Sequence, residues 1–532
     1  MSASQRHLGA RLLMLAAAAT CWLAVRPALS AEGGDWQAQF KTRIAELRAQ
    51  GQPVTFAEAL ARRPHIPDDR NSALVFLRAF DNLAAADAGE SEGVVEDLAN
   101  ATPLGAQHSE VGHQLIGRWL QMNAQALVLI HEGAKLPSGA YPIQAADNPF
   151  AILLPHLASL RKAARLTAMD AVYRAEAGDA SGAADDLFAA RRLCASIGDG
   201  PILIDCLVRI AAEGLVTRAL ERSLGLCEML PDRLAALRDE VRREQNELSF
   251  TSAFVNERAG VLYVLAERPD LMKETLQDAA EPAPPGALAA DALARNGLYY
   301  CGVMEDAIRI SALAPRRKLA EGRKWAGDAM PGLGANQPDR WFVELLIPAI
   351  GMVLQREVKA QASLHVAHAA LAVERWRMAH PPGKEWPASL DQLVPEYLEA
   401  VPEDSFSDTT LLYRRTDDGV VVYSVGPDGK DDGGAADDAS QAPNGTDLAF
   451  HLFNPELRRA RRLTADEEAF YGGRDLLHIA AQLGDKEAVE RLLADGADGN
   501  AVDRDGRTAA AVAVAAGHRD VADVLRRHGG LE

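Results

Sequence analysis

A 3.6-residue hydrophobic period runs through residues 36–275 of this 532-residue chain. In the first segment with this period, one helical face carries Trp36, Phe40, Ile44 and Leu47. Glycine and proline pairs interrupt the period at intervals that suit helical hairpins. Only 5% of the residues are aromatic, and alanine and leucine supply much of the apolar share, which favours packed helices over sheet. We therefore expect a mainly α protein with a multi-helical body over residues 31–350.

The arrangement of these helices has two interpretations. Around Gly178-Asp179, small residues flank a turn in a pattern that resembles one tetratricopeptide-like hairpin. Stacked hairpins would form an α-solenoid with a concave binding face, whereas any alanine-rich hairpin has the same signature. The proline-rich segment 279–287 predicts a hinge or loop inside the body.

The first thirty residues have the composition of a secretory signal peptide. Two arginines precede an apolar run over residues 12–25, and small residues follow at 28–31. The run is shorter than the roughly 20 residues that a membrane-spanning helix needs. Cleavage near Ser30 and Ala31 is therefore favoured over a retained anchor or lipid attachment at Cys21. We expect a signal segment 1–30 and a periplasmic or secreted protein with no stable membrane span after cleavage.

The chain is acidic, with 75 Asp and Glu against 56 Lys and Arg and a formal charge of −19. Cleavage would remove Arg6, Arg11 and Arg26 and no acid, which takes the charge from −19 to −22. A nucleic-acid binder needs a clustered basic face for the phosphates. We therefore expect no nucleic-acid partner.

Four cysteines follow the signal segment, and an exported protein is free to oxidise them. Cys194 and Cys206 flank the turn at residues 198–201, so a helical hairpin there would allow a disulfide between them. The alternative, which suits a chain of this size, is that all four are small buried side chains.

The character of the chain changes between residues 351 and 450. A helix predicted over 354–380 precedes a Trp-Pro-x-Ser-Leu-x-x-Leu-Val-Pro segment at 386–395, and two β runs at 411–415 and 420–425 follow. A turn centred on an Asp-Asp-Gly sequence joins the two runs into a hairpin. This order of parts resembles the globular end of the major pseudopilin of type II secretion systems and implies a small α+β module.

The pseudopilin resemblance also implies a calcium site in the acidic loop that follows the hairpin. The Val425 carbonyl, Asp428 and Asp438 fall at ligand positions of that family, whereas Ser440 stands where a further Asp is expected. From residue 417 to residue 447 the chain has eight Asp against one Lys. Calcium takes six to eight oxygen ligands on a supple backbone, and the alternative interpretation is a solvated acidic loop.

The C-terminal part of the sequence has a 33-residue period, in which Gly484 corresponds to Gly517 and Leu492 to Leu525. This spacing, with paired small residues in the helices, resembles ankyrin repeats over residues 473–530. The resemblance implies that His478 ties a turn together rather than acting in catalysis. It also implies a finger loop that binds partners through Asn500, Asp503, Arg504, Asp505 and Arg507.

Two repeats are fewer than the ~3 that a free-standing stack needs. We therefore expect either a capping helix within residues 455–470, which would make 455–532 one unit, or support from the pilin-like module.

The search for catalytic patterns yields isolated histidines only. His365 and His368 share a helical face as a zinc half-site, and His113 and His131 lie apart on helical stretches. There is no Gly-x-Ser-x-Gly elbow, phosphate loop or dinucleotide fingerprint in the sequence. The sequence therefore assigns no catalytic residue and no cofactor beyond the calcium implied above.

The favoured function is that of an exported, non-enzymatic interaction or scaffold protein. Its protein partner would bind the ankyrin tail or the helical body. The alternatives are a periplasmic hydrolase with an unrecognised helical active site around these histidines, and an accessory component of a secretion or pilus-like system.

Overall fold

The computed structural model describes most of the chain, in eight stretches. These are residues 35–84, 102–143, 154–272, 285–329, 338–380, 386–434, 447–472 and 476–530, except for residues 199, 201, 339, 460, 504 and 505. The predicted signal segment 1–30 and most of the predicted hinge 279–287 therefore lie outside the described residues.

Helices dominate the described structure, as the composition predicts. In the body they are α1 (Trp36–Ala49), α2 (Phe56–Leu60), α3 (Ser72–Asp81), α4 (Glu110–Met122), α5 (Ala124–Ala134), α6 (Pro155–Ala177), α7 (Ala180–Ala195), α8 (Leu203–Leu226), α9 (Pro231–Glu247), α10 (Thr251–Glu267), α11 (Ala290–Ser311), α12 (Pro315–Ala329) and α13 (Trp341–Ala379). The later helices are α14 (Ala465–Gly472), α15 (Leu476–Leu483), α16 (Lys486–Ala494), α17 (Ala509–Ala515) and α18 (Arg519–Arg527). None of the helices in the described stretches combines the length and the apolar character needed to cross a membrane.

The alanine-rich hairpin of α6 and α7 lies at the centre of the body. Gly178 ends α6 in the left-handed conformation (φ 85°), where glycine has no steric penalty. Ala164 and Ala171 of α6 are fully buried, and their small side chains allow α7 and α8 to pack closely on α6. Helix α1 packs against α10 and α11, which are far along the chain. In a solenoid, each repeat contacts only its neighbours in sequence. Packing in this body is not confined in that way.

Helix α13 is longer than the sequence predicts, because it begins at Trp341 instead of near residue 354. Pro348 lies inside it, and a proline removes one helical hydrogen bond and usually ends a helix. Here the residues on both sides of Pro348 are held in the core, with Ile347 before it and Leu354 after it almost fully buried. The energy of this packing outweighs the missing hydrogen bond.

The predicted hairpin is present, and it is part of a three-stranded antiparallel sheet. Elsewhere in the described residues, the short strand β1 (Ala106–Gln107) pairs in parallel with β5 (Arg461–Arg462). In the antiparallel sheet, β2 (Leu412–Arg415) pairs with β3 (Gly419–Ser424), and β3 pairs with β4 (Leu448–Phe453). The sheet packs on α8 and α13, and its apolar side chains belong to the same buried cluster as those of the body. A short helix at Leu390–Leu393 lies in the predicted proline-framed segment. The pseudopilin resemblance itself stays a prediction.

Candidate interaction surface and its junction with the body

The four C-terminal helices form two antiparallel pairs at the predicted spacing. Gly484 and Gly517, which lie 33 residues apart, turn the chain within each pair in the left-handed conformation, with φ of 65° and 84°. Asp485 caps α16 by accepting a backbone hydrogen bond at 3.0 Å. Leu492 and Leu525, also one period apart, are both buried. The residues selected by the period therefore have the same structural role in both pairs.

The predicted finger loop joins the two pairs, and the structure describes it except at Arg504 and Asp505. The Arg507 backbone N–H and guanidinium each donate to the Asp503 carboxylate at 2.9 Å. The imidazole of His478 lies near the base of the loop, with Nε2 donating to the Arg507 carbonyl at 3.0 Å. His478 thus has the structural role predicted for it, because it ties the first pair to the loop.

The described part of the finger loop presents an apolar side chain on a hydrogen-bonded frame. Asn500 Nδ2 donates to the carbonyl of Gly529 at 3.1 Å, which connects the start of the loop to the end of α18. Val502 has 60% of its surface exposed. Val502 is therefore accessible to a partner on a surface loop, the kind of segment on which binding residues are often found.

Helix α4 of the body supports the repeats. The sequence predicted support from a capping helix or from the pilin-like module, and neither prediction included α4. It packs against α15 and α16, and α14 packs beside it. One buried apolar cluster includes Val111, Leu115 and Ile116 of α4 and Leu477 and Val489 of the repeats. Helix α4 therefore takes the place of the missing neighbouring repeat, which explains how two repeats persist.

A buried polar network joins α14 to the start of α4. Glu468 of α14 accepts hydrogen bonds from the Ser109 hydroxyl and, at 3.1 Å, from the Ser109 backbone N–H. Its other oxygen lies 2.6 Å from His108 Nδ1, and the Arg222 guanidinium lies 2.9 Å from Nε2 of the same imidazole. All four side chains belong to residues that are at most 4% exposed.

The surroundings of His108 determine which of its nitrogens carries the proton. Burial and the neighbouring Arg222 lower the pKa of His108 to about 3, so the imidazole is neutral at neutral pH. Because a guanidinium can only donate, Nε2 accepts from Arg222 and Nδ1–H donates to Glu468. These groups satisfy one another away from solvent, which suits a structural clamp.

Gly112 allows the Glu468 carboxylate to reach the first turn of α4. A Cβ atom at this position would lie 2.1 Å from Glu468 Oε2. The carboxylate therefore meets the helix N-terminus, where backbone N–H groups and the helix dipole favour negative charge.

The histidines of the enzyme hypothesis lie in separate places. His113 Nδ1 lies 3.0 Å from Glu176, and the ring stacks on Tyr173 with centroids 4.1 Å apart. His131 Nε2 lies 2.7 Å from Asp186 Oδ1, at the wall of a cavity in the body. These two histidines thus pair with different carboxylates, in different parts of the body.

The zinc half-site gains no third ligand within the described stretches. His365 and His368 are half-buried on α13, and burial lowers the pKa of both, that of His368 to about 4. No three His, Cys, Asp or Glu side chains converge in a metal-binding group among the residues that the structure describes.

Several of the described carboxylates in the acidic loop accept hydrogen bonds from the backbone of the loop itself. Asp428 accepts a hydrogen bond from a loop N–H at 3.0 Å, and Val425 N–H donates to buried Asp404 at 3.1 Å. Asp447 Oδ2 accepts from two loop N–H groups, whereas Oδ1 is buried without a hydrogen-bond partner among the described residues. Burial raises the pKa of this carboxyl. Asp438, the third predicted ligand, lies outside the described residues.

Cys194 and Cys206 do not form the disulfide that one interpretation allowed. Both side chains are buried and unbridged, as are those of Cys227 and Cys301. The first two lie in the alanine-rich core around α6, and burial raises the pKa of the Cys194 thiol. All four side chains are therefore buried and unbridged, as the alternative predicts.

The ankyrin resemblance is confirmed by comparison with known families. A family model described as ankyrin repeats (many copies) matches residues 477–526, which include the finger loop and most of α15 to α18. The matched segment covers about a tenth of the chain. A protein-binding role is the one that ankyrin repeats suggest, since their stacks present extended binding surfaces. A comparison of the chain with curated proteins found no match.

Proposed function

We propose that this chain is an exported, non-enzymatic scaffold that binds a protein partner through the ankyrin finger loop. The observation that carries the proposal is the exposure of Val502, 60% open to solvent, on a loop held by the Asp503–Arg507 ion pair at 2.9 Å. The fully buried centres of protein interfaces are more apolar than their rims, and arginine is enriched in interfaces. Export is proposed from the signal-like composition of residues 1–30.

The junction with the body supports this role. Because α4 and the Glu468 clamp hold the first repeat, the loop is presented in one orientation instead of on a flexible tail. A surface that is ordered before binding loses less conformational entropy when the partner arrives. The body would thus serve as the rigid base of the interaction site.

We expect the double variant Val502→Asp, Arg507→Ala to lose its partner. The change removes the exposed apolar side chain and the loop ion pair, and loss of a central contact typically costs about 2 kcal/mol, or roughly 30-fold in affinity. Cross-linking and affinity capture from envelope extracts, followed by quantitative mass spectrometry, would measure this loss. Arg519→Ala, on the exposed side of α18, is the matched control. Unchanged recovery with the loop variant, or equal loss with Arg519→Ala, would contradict the assignment.

We further propose that the acidic loop binds calcium, with the buried Asp447 Oδ1 as an added oxygen ligand. At about 100 times its dissociation constant, calcium would stabilise the folded chain by about 2.7 kcal/mol. Thermal unfolding of the full chain with and without calcium would show the shift, and Asp428→Asn should reduce it. Asp466→Asn, at an exposed position on α14, should leave it intact. An unfolding midpoint that calcium does not change would exclude the site.

A further inference from the structure

A cavity of about 500 Å³ lies between α5, α7 and α9, and none of its lining residues belongs to the repeats. Its apolar lining includes Phe188, Leu237 and Ala134. The volume falls in the range of small-molecule sites, roughly 300 to 1,000 Å³, which are mostly apolar with a few polar groups that orient the ligand.

One wall of the cavity is polar and is held in place from behind. His131 Nε2 lies 2.7 Å from Asp186 Oδ1, and Arg174 Nε lies 2.9 Å from Asp186 Oδ2. The Asp186 side chain is only 1% exposed. Burial raises the pKa of Asp186, and the His131 hydrogen bond to Oδ1 and the nearby Arg174 charge offset part of the cost of its charge. This carboxylate is therefore occupied by protein groups.

The rest of the lining has an excess of positive charge. Lys135, at the end of α5, is exposed and makes no ion pair within the described stretches. Arg233 pairs with Asp185 at 2.6 Å, but their side chains are 39% and 46% exposed, and such surface pairs are weak and easily exchanged. A positively charged mouth is notable in a chain whose formal charge is −19.

We propose that this cavity binds a small organic monoanion, a carboxylate attached to an apolar body. The carboxylate would lie at the mouth between Lys135 and Arg233, where ammonium and guanidinium groups donate charge-assisted hydrogen bonds. The apolar body would lie against Phe188 and Leu237. Inorganic phosphate shares the charge but would leave the apolar lining uncovered.

The test uses the full chain with 3-phenylpropionate as the probe and neutral 3-phenylpropionamide as its matched analogue. Calorimetry should show saturable binding of the carboxylate, at least fivefold tighter than that of the amide. Lys135→Gln should weaken carboxylate binding roughly five- to tenfold. Ala236→Trp, which adds a large ring at an exposed lining position, should abolish it. Lys41→Gln, at an exposed lysine of α1, removes the same charge elsewhere and should bind as the unmodified chain does.

Three outcomes would overturn the proposal. Absence of saturable carboxylate binding would remove the site, and unchanged binding by Ala236→Trp would place the ligand elsewhere. Equal affinities for the carboxylate and the amide, with no effect of Lys135→Gln, would exclude anion recognition. A thermal-unfolding scan of each variant, compared with the unmodified chain, separates loss of binding from loss of fold. The test does not involve the finger loop, so its result is independent of the proposed scaffold function.

Discussion

Glu468→Ala is expected to lower the free energy of unfolding by roughly 2–6 kcal/mol, because at least two buried donors are left without an acceptor at about 1–3 kcal/mol each. The Glu468 carboxylate is the acceptor for His108 at 2.6 Å and for Ser109 at 3.1 Å. Without it, these buried donors lose their acceptor, and Arg222 loses one of the charges that balance it. Water cannot replace the carboxylate easily, because the surrounding residues are nearly inaccessible to solvent. The loss would be measured by urea unfolding followed by circular dichroism.

Glu467→Ala provides the matched control, one residue earlier on the same helix. The Glu467 side chain is 38% exposed, and its contacts are with Arg461 and the backbone of Thr464 at the helix start. A surface ion pair contributes about 0–1 kcal/mol and a helix-capping hydrogen bond about 1 kcal/mol, so this variant should lose only about 1 kcal/mol of stability. Glu468→Gln should fall between the two, since the amide keeps an acceptor but not the charge. Equal midpoints for Glu468→Ala and Glu467→Ala would show that the network does not hold the junction.

Ending the chain at Asn454 should destabilise the body itself, by more than any single substitution proposed above. The truncation uncovers Val111, Leu115 and Ile116 of α4, which are at most 2% exposed in the full chain. Full burial of each such side chain is worth about 1.5–3 kcal/mol. The uncovered face should also cause self-association, because contiguous apolar surface of this kind is rarely left exposed on a soluble protein. Thermal unfolding and light scattering after size-exclusion chromatography would measure both effects.

A chain that ends at Gly472 separates the two contributions to this loss. It keeps Glu468, and it keeps Arg458, which contacts Glu374 of α13 at 2.8 and 3.0 Å. It loses the apolar cover from the repeats and the hydrogen bonds that Gln114 and Arg118 of α4 donate to residues 483–485. We expect its stability to lie between those of the full chain and the shorter truncation. A chain ending at Asn454 that stays monomeric and unfolds at the full-chain midpoint would show that the tail is a separate domain.

The truncation also determines how partner binding should be tested. Removal of the tail would change the body as well as the repeats, so a lost partner could reflect either. Point substitutions in the finger loop avoid this ambiguity, because Val502 and Arg507 lie outside the junction cluster.

Much of the local structure could be predicted, because short-range spacing determines it. The 33-residue period placed Gly484 and Gly517 at the two turns. A run of consecutive valines and a turn sequence placed the β2–β3 hairpin. In each case the residues that carry the pattern also make the local hydrogen bonds, so the pattern and the structure have the same cause.

Strand β4 and the start of α13 were missed for a different reason. The β4 sequence Leu448–Phe453 follows a long acidic segment, and it forms a strand because β3 offers it a free edge. At the start of α13, Pro348 is a local signal to end the helix, but core packing overrides it. Tertiary contacts decided both outcomes.

The sequence by itself determined that this is a mainly helical, acidic protein with an ankyrin pair and a β-hairpin, since composition and spacing act over a few turns of chain. Only the tertiary structure decided that α4 supports the repeats and that His131 and Asp186 form one wall of a cavity. The physical reason is that these contacts join residues far apart in sequence; Glu468 and His108 are separated by 360 positions. Their partners are chosen by the global packing of the helices, which no local pattern encodes.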